Sequence, residues 1–118
     1  MGGKPILAID FDGTLHNYKG WNDGKMGFPN EGAVEFVKEA MPHFQIVVVS
    51  SRCNDPGGIE EIASWLDQYG FPQGLLVTDQ RPPAYVSLDD RAMTFCGMWP
   101  QVRDLMAFDP WWKKDMLR

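Results

Sequence analysis

The chain has 118 residues, of which 44% are apolar and 23% charged, a composition typical of one globular domain and not of a disordered segment. No apolar run approaches the roughly 18 residues that a membrane span needs, and the N-terminal MGGKP lacks the apolar core of a signal peptide, so we expect a cytoplasmic protein without a membrane partner. The net charge of −5 argues against broad electrostatic binding to nucleic acid, although it does not exclude an enzyme that contacts only a strand end.

Four short apolar runs predict the strands of a sheet. They are nearly continuous and not alternating, as expected for parallel strands that are covered on both faces. The runs are ILAI (6–9), IVVV (46–49), LLV (75–77) and YVSL (85–88).

Stretches of helical period lie between and after these runs. In the second helix, Asp55 is expected as N-cap with Pro56 at the first helical position, and Gly70 at the C-terminal cap. The first helix is expected to end before Pro42, and the third to start near Pro100. The apolar positions expected to face the core are Ala33, Phe36, Val37 and Ala40 in the first helix, Ile59, Ile62, Ala63 and Leu66 in the second, and Val102, Leu105 and Met106 in the third.

Strands that alternate with helices predict an α/β fold with an open, Rossmann-like sheet. We expect a three-layer sandwich, with a mostly parallel sheet of four to five strands, formed by a single domain over residues 1–118.

Polar residues follow three of the predicted strands. In open parallel sheets, ligands bind beyond the carboxyl ends of the strands, and these residues should therefore share one edge of the sheet. They are Asp10 and Asp12 after the first strand, Ser50, Ser51 and Arg52 after the second, and Asp89, Asp90 and Arg91 after the fourth.

Four carboxylates gathered at one edge would repel one another and raise one another's pKa values. A divalent cation relieves this repulsion, and an all-oxygen site with few other ligands suits Mg²⁺. Phosphate is the natural substrate of such a site, and backbone amides around Gly13 could form a nest for its oxygens. One carboxylate can then attack phosphorus while its neighbour two residues on transfers protons.

The sequence D-x-D-G-T-L after an apolar strand, Ser50 at the end of the second strand and a strand that ends in D-D resemble the haloacid dehalogenase superfamily of phosphohydrolases. The resemblance covers residues from about Ile6 to Phe95. It implies that Asp10 is the nucleophile that forms an aspartyl-phosphate, that Asp12 is the general acid and then the base, and that Ser50 hydrogen-bonds the phosphoryl oxygens.

The resemblance also implies a Mg²⁺ site on Asp10, the backbone carbonyl of Asp12, Asp89 and Asp90, without deciding which of the last two binds the ion directly. The family usually has a lysine before the last strand that stabilises the intermediate, and this chain has Arg81 there. Arginine keeps the charge but differs in reach and geometry. We expect Arg81 to replace the lysine, with Arg52 as the other candidate.

Members of this superfamily often carry an inserted cap domain, and neither interval between the motifs is long enough for one. We therefore expect only a short flap near residues 15–28 over an open site. The residues expected to contact substrate are Gly13, Thr14, Tyr18, Lys19, Trp21, Ser51 and Arg52.

The substrate expected from these features is a phosphomonoester. The stretch PPAYVSLDDRA is similar to the phosphatase part of polynucleotide kinase-phosphatases and to small deoxyribonucleotidases, which implies a nucleotide or a nucleic-acid end. Three alternatives are a metal-dependent nuclease, a catalytically silent binding module, and a receiver domain phosphorylated on Asp79.

Two further residue sets carry expectations about surface and assembly. His16 and His43 are expected at the surface and not in catalysis. The C-terminal DPWWKK, with Trp111 and Trp112, is a candidate docking surface or homodimer contact because adjacent tryptophans should face different ways.

Overall fold

The computed structural model describes residues 3–116, with side chains up to residue 113. Its centre is a four-stranded sheet in which every pairing is parallel, in the order β3-β2-β1-β4. The strands lie where the apolar runs predicted them, which confirms the α/β class and the parallel sheet. They are β1 (Ile6–Asp10), β2 (Gln45–Val49), β3 (Leu76–Thr78) and β4 (Val86–Leu88).

Four α-helices accompany the sheet within the described residues, and a short 3₁₀-helix, Ser51–Asn54, follows β2. The α-helices are α1 (Ala33–Ala40), α2 (Gly58–Gln68), α3 (Val102–Met106) and α4 (Trp111–Met116). None of the helices described is long and apolar enough to cross a membrane.

The predicted start of α2 is wrong. The N-cap is Gly57, at φ 81°, because the 3₁₀-helix occupies the preceding residues and Asp55 ends it in an extended conformation. A Cβ at Gly58 would overlap the carbonyl oxygen of Arg52, so the helix starts in direct contact with the 3₁₀-helix. The buried face of α2 is correspondingly rotated. Ile62 and Leu66 are buried as predicted, Ile59 and Ala63 are exposed, and Trp65 is buried in their place.

Both long helices cover the same face of the sheet. Alternate residues of β1 and β2, Leu7, Ile9, Ile46 and Val48, form one buried cluster with side chains of α1 and α2. Right-handed crossovers that move in one direction, from β1 to β2 to β3, place their helices on one side. In α1, Ala33, Val37 and Ala40 are buried as expected, and Phe36 is exposed.

The opposite face of the sheet has no helical layer among the described residues, so the predicted three-layer sandwich is not present there. Ala8, Val47 and Val49 form a small second cluster, packed by Ile6 and Ala84. The return connection from β3 to β4 (79–85) contains no helix and contributes Ala84 instead.

The C-terminal part of the chain is unusually exposed. All three residues of β4 are exposed, against the expectation of strands covered on both faces. The inward face predicted for α3 is wrong as well, since Val102, Leu105 and Met106 are 51–82% exposed. A compact monomer of 13.4 kDa exposes about 6,500 Å², whereas this chain exposes 8079 Å².

Candidate metal centre

The carboxyl ends of β1, β2 and β4 border a cavity of about 330 Å³. The strand register makes these ends nearly level, because Asp10 pairs with Val49 and Ile9 pairs with Leu88. All three polar sets predicted at this edge line the cavity, together with two aromatic residues of the flap and one further carboxylate. The lining residues are Asp10, Asp12, Tyr18, Trp21, Ser50, Ser51, Arg52, Asp55, Asp89, Asp90 and Arg91.

Three of the carboxylates are close enough to share one cation. Asp10, Asp89 and Asp90 can each offer one oxygen so that all of these oxygens lie within 4.8 Å of one another. Burial, contact with the Asp90 carboxyl, and the charges of Asp89, Asp90 and Asp12 raise the pKa of Asp10 from 3.8 to about 8. A divalent cation bound among these carboxylates would offset their negative charges and favour the ionised form of Asp10.

The hydrogen bonding of Asp90 also fits a cation. Its Oδ2 accepts the indole N–H of Trp112 at 2.7 Å, whereas its Oδ1 is buried and has no partner among the described residues. A buried oxygen without a partner is destabilising, and carboxylate oxygens are the ligands that hard cations prefer. The donor set of Asp10, Asp89 and Asp90 is therefore suited to an ion such as Mg²⁺.

The carboxylate of Asp12 is engaged elsewhere. Its Oδ2 accepts from Nε of Arg52 at 2.8 Å, and its Oδ1 accepts from Nη2 of Arg52 at 3.0 Å and from Nδ1 of His16 at 2.8 Å. Burial by itself raises the pKa of Asp12, but the hydrogen bonds from His16 and Arg52 and the charge of Arg52 outweigh it and hold the pKa below its ordinary value. In this state Asp12 is a carboxylate, and its side chain is not part of the three-residue cluster.

His16 contacts the site although it was not expected there, as do Asp55, which lines the cavity, and Trp112. The expectation that His16 lies at the surface is wrong, since its side chain is 3% exposed and stacks on Phe11 at 5.4 Å. The backbone N–H of Gly27 donates to Nε2 of His16, so the hydrogen on Nδ1 is the one that His16 donates to Asp12. His16 thereby connects the flap to Asp12.

Ser50 lies at the bottom of the cavity wall and is 5% exposed. Its hydroxyl oxygen accepts the backbone N–H of Arg52 at 3.1 Å, which leaves the hydroxyl hydrogen available to a ligand. Ser51 also lines the cavity and is exposed.

The two candidate arginines differ in position. Nη2 of Arg81 pairs with Oδ2 of Asp89 at 2.7 Å, its side chain is 48% exposed, and it does not line the cavity. Arg52 lines the cavity, and its side chain is 9% exposed. Arg91 is the second arginine that lines the cavity, and its guanidinium lies over the ring of Trp112 at 5.4 Å.

The predicted flap is an irregular loop that side chains hold over the cavity. Its ends meet where the N–H of Asn17 donates to the carbonyl of Phe28. Arg52 donates to the carbonyl of Gly24 at 2.9 Å, and its guanidinium lies over Trp21 at 5.0 Å. Tyr18 and Trp21 line the cavity as expected, whereas Lys19 is placed over the ring of Trp111.

Gly13 and Thr14 border a neighbouring, more open cavity of about 550 Å³ and not the main one. The N–H of Gly13 donates to the carbonyl of His16 at 3.0 Å, and the N–H of Thr14 donates to the carbonyl of Phe11 at 3.3 Å. The expected anion nest at Gly13 therefore has neither of these two amides free. Gly13 is needed for another reason, because a Cβ at this position would overlap the Asp90 carboxylate.

The C-terminal tryptophans contact the site. The indole N–H of Trp111 donates to the carbonyl of Gly13 at 2.7 Å, and that of Trp112 donates to Asp90. Both N–H groups reach the same edge of the sheet, while the two rings differ in exposure, as expected for adjacent residues that face different ways. Trp112 is 6% exposed and Trp111 is 44% exposed.

Comparison of the chain with protein-family models, with curated proteins and with solved structures finds no match. The chemistry of the site must therefore be argued from its residues. Within one cavity it combines a carboxylate cluster that could hold a cation, a hydroxyl group and a guanidinium, which together could bind a metal ion and an anion. Asp79 is exposed and is not among the cavity residues, so the acceptor position of the receiver-domain alternative lies outside this site.

Proposed function

We propose that the chain is a Mg²⁺-dependent phosphomonoester hydrolase similar to the haloacid dehalogenase superfamily, and that it acts through an aspartyl-phosphate on Asp10. The observation that supports this most is the meeting of Asp10, Asp89 and Asp90 beside a cavity that Ser50 and Arg52 also line. A nucleophile, a cation site and donors for phosphoryl oxygens are what phosphoryl transfer requires.

In the first step, a carboxylate oxygen of Asp10 attacks phosphorus, and the bond from phosphorus to the leaving oxygen breaks. Asp10, Asp89 and Asp90 would hold the metal ion, which neutralises the cluster and the phosphate when bound. Ser50 donates its hydroxyl hydrogen to a phosphoryl oxygen.

Asp12 supplies and removes the proton. It protonates the leaving oxygen in the first step and takes a proton from water in the second, when water attacks phosphorus and releases phosphate from Asp10. Its low pKa keeps Asp12 ionised, which is the form that the second step needs, but also makes it a weak base until the partners that lower the pKa are displaced. The first step requires that the charge of the incoming phosphate raise that pKa and compete for Arg52.

Arg52 is the better candidate for the positive charge at the phosphoryl group. It lines the cavity and is almost buried, whereas Arg81 does not line the cavity and is paired with Asp89. Replacement of each arginine by glutamine, with kcat and KM measured for both variants, separates the two assignments. A much larger loss of kcat in Arg81→Gln would restore Arg81 to the lysine's role.

We propose a nucleotide or a nucleic-acid end as the substrate. Only the flap, α1 and β2 lie between Asp12 and Ser50, so this part of the chain contains no cap domain. The exposed ring of Trp21 lies at the cavity beside Arg52, where it could stack on a base next to a bound phosphate.

The first test is phosphate release with Mg²⁺ from mononucleotides, 3′- and 5′-phosphorylated oligonucleotides, phosphopeptides and an aryl phosphate. Asp10→Asn and EDTA are the controls. Release that is lost in both controls supports the proposal, and the preferred substrate decides between large and small phosphate esters. Cleavage of internal phosphodiesters, with no mimic of the aspartyl-phosphate formed by beryllium fluoride, would support the nuclease alternative.

The binding-module alternative has one observation in its favour. Both oxygens of Asp12 are occupied by His16 and Arg52, so the proton-transfer group is held away from a substrate in this state. Metal binding without release of phosphate from any substrate would support that alternative.

We also propose a homodimer, on a surface other than the one first expected. Trp112 is buried within the chain, so the exposed apolar residues between β4 and the end of α3 are the better contact. The chain exposes about 1,600 Å² more than a compact monomer of its mass by the surface scaling, and the side chains of Met98, Trp99 and Met106 are 79–86% exposed. Sedimentation equilibrium tests this, with Trp99→Ser as the variant expected to shift the protein to monomer.

A further inference from the structure

The C-terminal helix α4 meets the carboxylate cluster through one side chain. Trp112 is 6% exposed, although it lies near the end of the described residues and far along the chain from β1. Its ring packs edge-on against Tyr18 at 5.0 Å, and Arg91 lies over its face. Its Nε1–H points at Oδ2 of Asp90, at 2.7 Å.

This hydrogen bond distinguishes the two oxygens of Asp90. Oδ2 is occupied by the indole, and Oδ1 is buried without a partner among the described residues. The arrangement requires glycine at position 13, because a Cβ there would come too close to both the Asp90 carboxylate and Nε1 of Trp112. The loop after β1, the end of β4 and α4 therefore meet at one carboxylate.

We propose that Trp112 is a positioning residue of the metal centre, which holds Asp90 so that Oδ1 is presented to the cation. The inference rests on the proposed metal centre. It assigns a role to Trp112, which takes no part in the hydrolase mechanism described above. Groups that hydrogen-bond metal ligands fix the orientation of those ligands, and their removal costs about 10- to 100-fold in metal affinity.

A purely structural role for Trp112 makes a different prediction. The ring fills space against Tyr18 and Arg91, and phenylalanine would keep much of that packing while it removes the N–H donor. If only packing matters, Trp112→Phe should lower thermal stability and leave the metal affinity of the folded protein unchanged. If the N–H matters, the affinity should fall in protein that is still folded.

The experiment measures Mn²⁺ binding by electron paramagnetic resonance, and Mg²⁺ by competition, at a temperature where circular dichroism shows every variant folded. Trp112→Phe should bind Mn²⁺ about 10- to 100-fold more weakly than wild type. Trp99→Phe makes the same chemical change at a ring that does not line the cavity, and it keeps an aromatic ring at the proposed dimer contact, so it should leave the affinity unchanged. Asp90→Asn is the reference for loss of a ligand.

Kinetics supply a second readout. In Trp112→Phe, the Mg²⁺ concentration for half-maximal phosphate release should rise, while kcat at saturating Mg²⁺ returns towards the wild-type value. A fall in kcat that saturating Mg²⁺ does not restore would overturn the positioning role.

A measurement on the unaltered protein covers the case in which Trp112→Phe does not fold. The indole N–H resonance of Trp112 should move when Mg²⁺ is added, and that of Trp99 should stay in place. Metal binding that leaves the Trp112 resonance unmoved would overturn the inference while the metal centre stands. Absence of any Mn²⁺ binding by the wild type would overturn the metal centre, and with it both the inference and the proposed hydrolase. Metal binding without phosphatase activity would leave the inference intact.

Discussion

Asp10→Asn should stabilise the metal-free protein at alkaline pH, although it removes the proposed nucleophile. The pKa of Asp10 is raised from 3.8 to about 8, first by burial and then by contact with Asp90 and the nearby carboxylate charges. Between these values the folded protein holds a proton that the unfolded chain has released. The free energy of unfolding therefore falls as pH rises from about 4 to 8. The slope is about 1.4 kcal/mol per pH unit where the folded protein holds one whole proton more than the unfolded chain.

The full shift of about four pH units corresponds to an upper limit of about 6 kcal/mol. Water in the open cavity and relaxation of the side chains reduce this, and we expect about 2–3 kcal/mol between pH 5 and pH 8.5. Asparagine resembles the protonated carboxyl and lacks the titration. The free energy of unfolding of Asp10→Asn should therefore exceed that of wild type by an amount that grows over this pH range and levels off above it.

Urea unfolding in EDTA, followed by circular dichroism from pH 5 to pH 9, measures the difference. Asp79→Asn is the matched control, because Asp79 is exposed and lies outside the cluster. Added Mg²⁺ should reverse the order of stability, since wild type would gain more from the cation than the variant. A difference between Asp10→Asn and wild type that does not change with pH would refute the electrostatic reasoning about the cluster.

Three further predictions concern the groups around the cluster. Arg52→Ala leaves the Asp12 carboxylate without the guanidinium that donates two hydrogen bonds to it, and should lower the free energy of unfolding in urea at pH 7 by about 2–3 kcal/mol. Arg52→Lys should recover little of this loss, and a loss near zero in Arg52→Ala would contradict the bidentate pair. His16→Phe removes a donor that lowers the pKa of Asp12, so the alkaline limb of the kcat/KM profile, which reports the protonated general acid of the first step, should move to higher pH, and an unmoved limb would argue against Asp12 as the titrating group. Gly13→Ala places a side chain against Asp90 at a φ of 87°, and we expect about 1–3 kcal/mol of destabilisation together with weaker Mn²⁺ binding, both measured on the same preparation.

Much of the site could be predicted from the sequence because parallel strands order it. The apolar runs identify the strands, and the carboxyl ends of neighbouring parallel strands lie at one edge of the sheet. The residues that follow β1, β2 and β4 therefore had to approach one another, whatever the rest of the chain does. Asp10, Asp89 and Asp90 are the outcome of this rule.

The environment of Asp12 could not be predicted in the same way. Its pKa depends on Arg52, which reaches it from the loop after β2, and on His16, whose ring is turned inward by the closed flap. No local pattern marks a histidine as buried, because its burial results from packing against Phe11 and Trp65.

The sequence alone determined the α/β class, the four strands, their parallel pairing and the edge at which the acidic residues meet, because apolar periodicity and strand direction are local properties of the chain. Only the tertiary structure decided that both long helices cover one face, that α3 stays exposed, and that Trp112 reaches Asp90. These outcomes depend on which distant surfaces meet, and the residues involved carry no local signal of their partners.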